Sequence, residues 1–227
     1  MNSLFLALFT GHLVADFWLQ PASWVNSKRE NGLRSKKLLF HAAIASALPV
    51  IFTLQIALWW FFPIIFISHY LIDFAKTKTR DNLLAFIADQ MLHIAVLMIL
   101  ARYASLGGPV IQHPLFWKFA AGFVLVTTPS GILIGKFLQS ITNTQSTPLK
   151  SNASAWIGFI ERILILIFIL SGQFQAIGFL VAAKSIFRFS EIQKEGNPKA
   201  EYFLLGTLVS FLVAVSVGLG IKMLLTN

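Results

Sequence analysis

The chain has 227 residues, 56% of them hydrophobic and only 12% charged, with a mean hydropathy of +0.74. Soluble domains carry about 25% charged residues, so this composition excludes a soluble globular domain with one anchor and predicts a polytopic membrane protein. Cysteine is absent, which excludes disulfides, thiolate metal sites and cysteine nucleophiles. The net charge of +9 falls in loops between apolar segments, where the positive-inside rule explains it without nucleic acid.

Apolar stretches fall at about 2–20, 38–54, 56–75, 83–101, 115–135, 155–171, 175–188 and 202–224, most of them near the roughly 20 residues needed to span a bilayer. They predict an all-α membrane bundle of about eight transmembrane helices. Residues 1–102 form one four-helix half and 103–227 a second. The first stretch lacks the charged n-region of a signal peptide and contains His12 and Asp16, so it reads as a retained helix. Pro21 closes it. Pro49 and Pro63 are expected to kink the second and third helices, and a very short turn near Gln55 to make them a tight antiparallel hairpin. Thr128-Pro129-Ser130-Gly131 interrupts the fifth, where neighbouring helices can satisfy freed backbone groups.

With eight spans, thirteen basic residues lie in alternate loops: Lys28, Arg29, Arg34, Lys36 and Lys37, then Lys76, Lys78 and Arg80, then Lys136 and Lys150, then Arg188, Lys194 and Lys199. The other side has Arg102, Lys118 and Lys222. This asymmetry puts the first side in the cytoplasm and both termini outside. The cationic segment Trp24 to Lys37 should lie against the anionic inner leaflet.

The chemistry resides in histidine and aspartate four residues apart within apolar helices: His12 and Asp16, His69 and Asp73, and, in reversed order, Asp89 and His93. His41 lies alone near the start of another apolar run. Four-residue spacing puts both side chains on one helix face, about 5–6 Å apart at Cβ. An Asp at mid-helix costs about 2.5–3.5 kcal/mol on insertion scales, so such groups face a bundle interior and satisfy one another or an ion. At 1.5 Å rise per residue, all seven are expected about two to ten residues inward from the cytoplasmic ends. The order H-x-x-x-D, basic loop, histidine occurs at 12–41 and again at 69–93, a weak internal repeat.

Three readings are open for these residues: hydrogen bonds that stitch a bundle, a proton relay, or a metal site with nitrogen and oxygen ligands. Three pairs plus His41 at one depth favour the metal site. Zinc is the first choice, with manganese or iron also suited. Seven ligands exceed one tetrahedral zinc, so either two metals are held or some carboxylates orient an imidazole. Gln20 and Gln90 lie beside these faces, as hydrogen-bond partners of substrate or carboxylate, or as ordinary interhelical contacts. His113, beside Pro114, reads as a solvated surface histidine.

In the C-terminal half, Glu161 and Arg162, Lys184 and Arg188, and Glu201 and Tyr202 form a second polar cluster. It is either an ion-pair network locking three helices or an anion-binding wall of Lys184, Arg188 and Arg162. Gly206 and Ser210 have a small-x-x-x-small spacing that suits close helix packing.

Gly11-His12-Leu13-Val14-Ala15-Asp16-Phe17-Trp18-Leu19-Gln20, His69-Tyr70-Leu71-Ile72-Asp73-Phe74-Ala75-Lys76 and Asp89-Gln90-Met91-Leu92-His93 together resemble an uncharacterised bacterial integral-membrane family defined by these three motifs. They are more distantly similar to the predicted membrane-bound metal-dependent hydrolases. The resemblance covers about residues 8–95; the remainder, including Ala183-Lys184-Ser185 and Glu201-Tyr202, looks like a C-terminal extension found in part of that family. It implies a metal at His12, Asp16, His69, Asp73, Asp89 and His93, and no particular substrate.

The leading expectation is an inner-membrane metal-dependent hydrolase acting on a phosphoester or lipid-linked substrate at the cytoplasmic leaflet. His12, His69 and His93 are the principal ligands, and Asp16, Asp73 or Asp89 completes the shell or acts as base. Membrane lipids are the expected partners. Transport of divalent cations or protons, and a structural or partner-binding subunit, are the competing classes; transport would need polar groups in the outer half of the bilayer, where the first four helices are almost wholly apolar.

Overall fold

A computed structural model describes residues 3–104, 114–142, 152–192 and 198–226, with the side chains of 142, 152–154, 187–192, 198–201 and 203 outside the description. Among the described residues the chain is all helix and turn, without a strand. It divides into two compact units, Met1–Val124 and Leu125–Asn227. His113 and the side chains of Arg188 and Glu201 lie outside the described residues.

In the first unit α1 (Ser3–Phe17) is followed by the short α2 (Ala22–Asn31) and a 3-10 turn at Gly32–Arg34. Then come α3 (Lys36–Phe52), α4 (Phe61–Thr77), α5 (Leu83–Ala104) and α6 (Pro114–Leu125). Helix α1 packs on α3 and α5, α3 on α4, and α4 on α5. One end of this bundle is apolar: Leu4, Leu6 and Leu8 of α1 meet Phe61 and Ile65 of α4, Leu97 and Leu100 of α5, and Trp117 and Ala121 of α6. The histidines and aspartates lie farther along the same helices, on residues 12–16, 69–73 and 89–93. Each helix is therefore segregated lengthwise into an apolar end and a polar end.

The expected eight spans are corrected. Among the described residues, three stretches are long and apolar enough to cross a membrane: Leu83–Ala104, Pro114–Ile141 and Leu204–Thr226. A fourth is reached only if Ser3–Phe17 and Ala22–Arg34 count as one span, and these meet at an 81° bend. The apolar runs were longer than the helices they contain. Trp18 and Leu19 fall beyond the end of α1, and Leu54, Ile56 and Trp59 lie exposed in the α3–α4 connection. Helices of 15 and 17 residues, as α1, α3 and α4 are, measure about 23–26 Å against a hydrocarbon core of about 30 Å.

The connection between α3 and α4 is also less tight than expected. It includes a 3-10 turn at Ile56–Leu58, and Leu54 adopts the left-handed conformation at φ 54°. Pro49 does sit inside α3. Pro63 instead occupies the first turn of α4, where a missing N–H costs nothing, so no mid-helix kink arises there.

The second unit contains α7 (Thr128–Thr142), α8 (Asn152–Leu170), α9 (Phe174–Ile192) and α10 (Pro198–Thr226). Helix α10 packs on α8 and α7, and Ile165 and Ile169 of α8, Ile177 of α9 and Ala214 of α10 form a buried apolar cluster. The interruption expected at Thr128-Pro129-Ser130-Gly131 appears as a two-residue break before α7. Arg162 of α8 spans it, donating from Nε to the Val126 carbonyl at 2.6 Å and from Nη2 to that of Thr127 at 3.1 Å.

Helices α1 and α3 approach each other closely at Gly11. A Cβ at Gly11 would lie 2.5 Å from Pro49 Cα and 2.7 Å from Pro49 N. Both are backbone atoms of a rigid ring residue, so the contact has no side chain that could swing aside. Overpacking of this kind costs about 1–3 kcal/mol. Gly11→Ala should therefore lower the melting temperature in detergent, and an unchanged melt would show that α1 and α3 do not meet here.

Candidate metal centre

Residues from four helices converge at the polar end of the first unit. His12 and Asp16 come from α1, His41 from α3, His69 and Asp73 from α4, and Asp89 and His93 from α5. Each i,i+4 pair lies on one helix face, as the spacing predicts. All four imidazoles, Asp73 and Asp89 are buried. The rings of His69 and His93 stack with centroids 4.1 Å apart. Those of His41 and His69 lie 4.9 Å apart, and those of His12 and His93 5.1 Å apart.

Asp16 Oδ1 is the focus. It lies 3.3 Å from His41 Nε2, 3.5 Å from His69 Nε2 and 3.7 Å from His12 Nδ1. The two Nε2 atoms of His41 and His69 face each other at 3.0 Å. A tetrahedral ion with bonds of about 2.0–2.2 Å has ligand atoms about 3.3–3.6 Å apart, which these separations approach. Asp16 Oδ1 is buried and takes no hydrogen bond among the described residues, a situation that costs free energy unless a cation is nearby.

On the other side of the cluster, His93 Nε2 lies 3.7 Å from Asp73 Oδ1 and 3.5 Å from Asp89 Oδ1. Asp73 Oδ2 points back toward His41 and His69, at 3.7 and 3.8 Å. The donor set thus forms overlapping groups, His12–Asp16–His69, His41–His69–Asp73 and Asp73–Asp89–His93, each with its ligand atoms within 4.8 Å of one another. Such a set suits a divalent ion with nitrogen and oxygen ligands.

Gln90 ties the two sides together. Its Nε2 donates to Asp89 Oδ2 at 3.0 Å and to Asp16 Oδ2 at 3.4 Å, and its Oε1 lies 3.4 Å from His12 Nε2. Gln20, in the orientation that satisfies both ends of its amide, donates to the Asp16 carbonyl at 3.2 Å and accepts from Lys28 Nζ. Both glutamines therefore contact the cluster.

Two lysines join the site although their sequence positions marked them as loop charges. Lys28 of α2 is buried and pairs with Asp73 Oδ2. Lys76, at the end of α4, pairs with Asp89 Oδ2 at 2.5 Å. The 81° bend after α1 turns α2 back so that Lys28 reaches the cluster, and Lys28 therefore does not join its neighbours on an exposed cationic face. Arg29, Arg34, Lys36 and Lys37 do remain exposed, and Lys37 sits 5.3 Å over the Trp24 ring. The available signal for Lys76 was its position three residues after Asp73, one helical turn along the same face.

The C-terminal cluster is partly an ion pair. Lys184 pairs with Glu161, both part-buried. Arg162 faces the carbonyls of the α7 break and lies 3.4 Å from Ser210 Oγ, so Ser210 receives a guanidinium. Gly206 does mark a close approach, since a Cβ there would be 3.2 Å from Leu138 Cδ1.

Fold and site together define an all-helical protein with membrane-span candidates and buried histidine–aspartate groups able to hold a metal. Residues 4–115 match a family described as "Protein of unknown function (DUF3307)". The match encloses every histidine and aspartate of the cluster. No curated protein and no solved structure matches the chain.

The contacts of Lys28 and Arg29 differ sharply in burial. Removing one partner of a buried pair costs about 3–5 kcal/mol, whereas an exposed pair contributes under about 1 kcal/mol. Lys28→Met in metal-stripped protein should lower the melting temperature strongly. Arg29→Met, which removes the exposed 3.4 Å contact with Asp81, should change it little. Equal effects would show that Lys28 does not reach Asp73.

Proposed function

We propose that the chain is an integral membrane metalloprotein that hydrolyses a phosphoester, favouring a lipid-linked headgroup, at the cytoplasmic leaflet of a bacterial inner membrane. One observation carries this reading: three imidazole nitrogens lie within 3.7 Å of one buried carboxylate oxygen that lacks a hydrogen bond. His12, His41, His69 and Asp16 would hold the ion, with zinc the first choice and manganese or iron also compatible. Such an ion, when bound, supplies a water of near-neutral pKa and polarises a phosphoryl oxygen. Gln90 fixes His12 and Asp16 in place, the role of a partner that orients a ligand. Asp73 and Asp89 complete the negative shell or take a proton from water.

Substrate charge and approach are argued from the lysines. Lys76 is the most open of the cationic groups touching the cluster, with 29% of its side chain exposed, so approach is favoured at the α4–α5 junction. An ammonium there suits a phosphate headgroup. The apolar opposite end, lined by Leu6, Phe61 and Leu97, favours a one-sided pocket over a transport path.

The lysine and arginine contacts with Asp73, Asp81 and Asp89 gather at one end of the first unit, and the positive-inside rule would put that end in the cytoplasm. Thr79, exposed in the α4–α5 connection, serves as a reporter of topology, with Ile56, 92% exposed at the opposite turn, as its counterpart. Cysteine at Thr79 should resist an impermeant thiol reagent on intact cells, and cysteine at Ile56 should react. The reverse pattern would move the site to the other leaflet.

The metal is tested on protein purified without chelator. It should carry a tightly held transition metal and release phosphate from a lipid phosphomonoester in mixed micelles, with chelator abolishing release and zinc restoring it. Loss of an orienting partner of a metal ligand typically costs about 10–100-fold; His69→Ala, which removes a ligand itself, should cost at least about 100-fold together with the metal. A well-ordered, metal-free protein would sink the proposal.

A further inference from the structure

We infer that the cluster is built for two divalent cations, with the Asp73 carboxylate bridging them; this rests on the metal reading above and extends it to the second half of the donor set. The first position lies among Asp16 Oδ1, His41 Nε2, His69 Nε2 and His12 Nδ1. The second lies among His93 Nε2, Asp89 Oδ1 and Asp73 Oδ1, whose ligand atoms are all within 4.8 Å of one another.

Two features set this second group apart from a bundle stitched by hydrogen bonds. His93 Nε2 and Asp89 Oδ1 are both buried without a hydrogen-bond partner, although they face each other at 3.5 Å. A hydrogen bond would satisfy both at once, yet they stand at the separation expected of two ligands sharing an ion. The other oxygen of Asp89 is already committed to Lys76 and Gln90, which fixes the carboxylate and leaves Oδ1 aimed at His93.

Asp73 is the link. Its Oδ1 lies 3.7 Å from His93 Nε2, while its Oδ2 lies 3.7 Å from His41 Nε2 and 3.8 Å from His69 Nε2. One carboxylate thus presents an oxygen to each side. Lys28, whose ammonium holds Asp73 Oδ2, has a flexible stem and can yield that oxygen to an ion; Lys76 is part-exposed and has a path to solvent.

Charge balance then specifies the substrate class. Three carboxylates, two ammonium groups and two divalent ions leave an excess of three positive charges with neutral imidazoles. Low-dielectric surroundings make such an excess costly. A hydroxide and a phosphate dianion would cancel it, whereas a neutral ester or a phosphodiester monoanion would not. The paired site is therefore matched to a phosphomonoester.

The test uses the full chain in detergent, stripped with chelator and reloaded in separate samples with Mn2+, Zn2+ or Fe2+, the Mn2+ sample being read by EPR. Two Mn2+ per chain with an exchange-coupled EPR spectrum is the expected result. His93→Ala and the near-isosteric Asp89→Asn should each retain one Mn2+ and lose the coupling, so a misfolded alanine variant leaves the asparagine variant and the wild-type spectrum to decide. One uncoupled Mn2+ in the wild type, unchanged by either substitution, would overturn the second ion and leave the first intact. Failure to bind any of Mn2+, Zn2+ or Fe2+ would overturn both.

Discussion

Everything at the polar end of the first unit follows from burying three carboxylates among apolar helices. A charge in such surroundings is tolerated only when its field is met locally, and here each aspartate is met differently. Asp73 and Asp89 have lysines. Asp16 has three imidazoles and a glutamine amide, with one oxygen lacking any hydrogen bond. Because these partners come from α1, α2, α3, α4 and α5, the requirement of one small volume sets the packing of the whole unit.

The apolar end makes that arrangement durable. The close contact of Gly11 with Pro49 lies one residue from His12, so the α1–α3 approach also sets where Asp16 stands relative to His41. Beyond it, interlocked Leu6, Leu8, Phe61 and Leu97 hold the helices apart from water. The polar end therefore inherits rigidity from hydrophobic packing instead of supplying it.

The helical class and the membership of the polar cluster were legible in the sequence because both rest on periodicity. A four-residue repeat of His and Asp has one geometric meaning on a helix, and the fold brings all seven of these side chains together. Helix ends were not legible, because Trp18, Leu54, Ile56 and Trp59 are as apolar as the helices they follow; hydropathy does not distinguish a turn at a lipid-facing surface from a continuing span. Lys28 and Lys76 were missed for a related reason. A basic residue beside an apolar run reads as a topology signal, and only the bend after α1 and the end of α4 show that these two turn inward. Arg162 was visible as a buried cation, but its acceptors are main-chain carbonyls, which leave no trace in side-chain identity.

That last arrangement has a consequence for biogenesis. The carbonyls of Val126 and Thr127 sit in a stretch apolar enough to cross a bilayer, yet the guanidinium that meets them is synthesised 35 residues after Thr127. Until α8 emerges, the break has no arginine; the Thr127 carbonyl still accepts from the Gly131 N–H at 3.1 Å, but an unmet Val126 carbonyl in hydrocarbon would cost several kcal/mol. A segment of this kind would enter a bilayer either as a continuous helix that opens later or in the company of water or the insertion machinery. The two-residue break is thus completed by helix association, because the donor that meets the Val126 carbonyl lies 36 residues further along the chain.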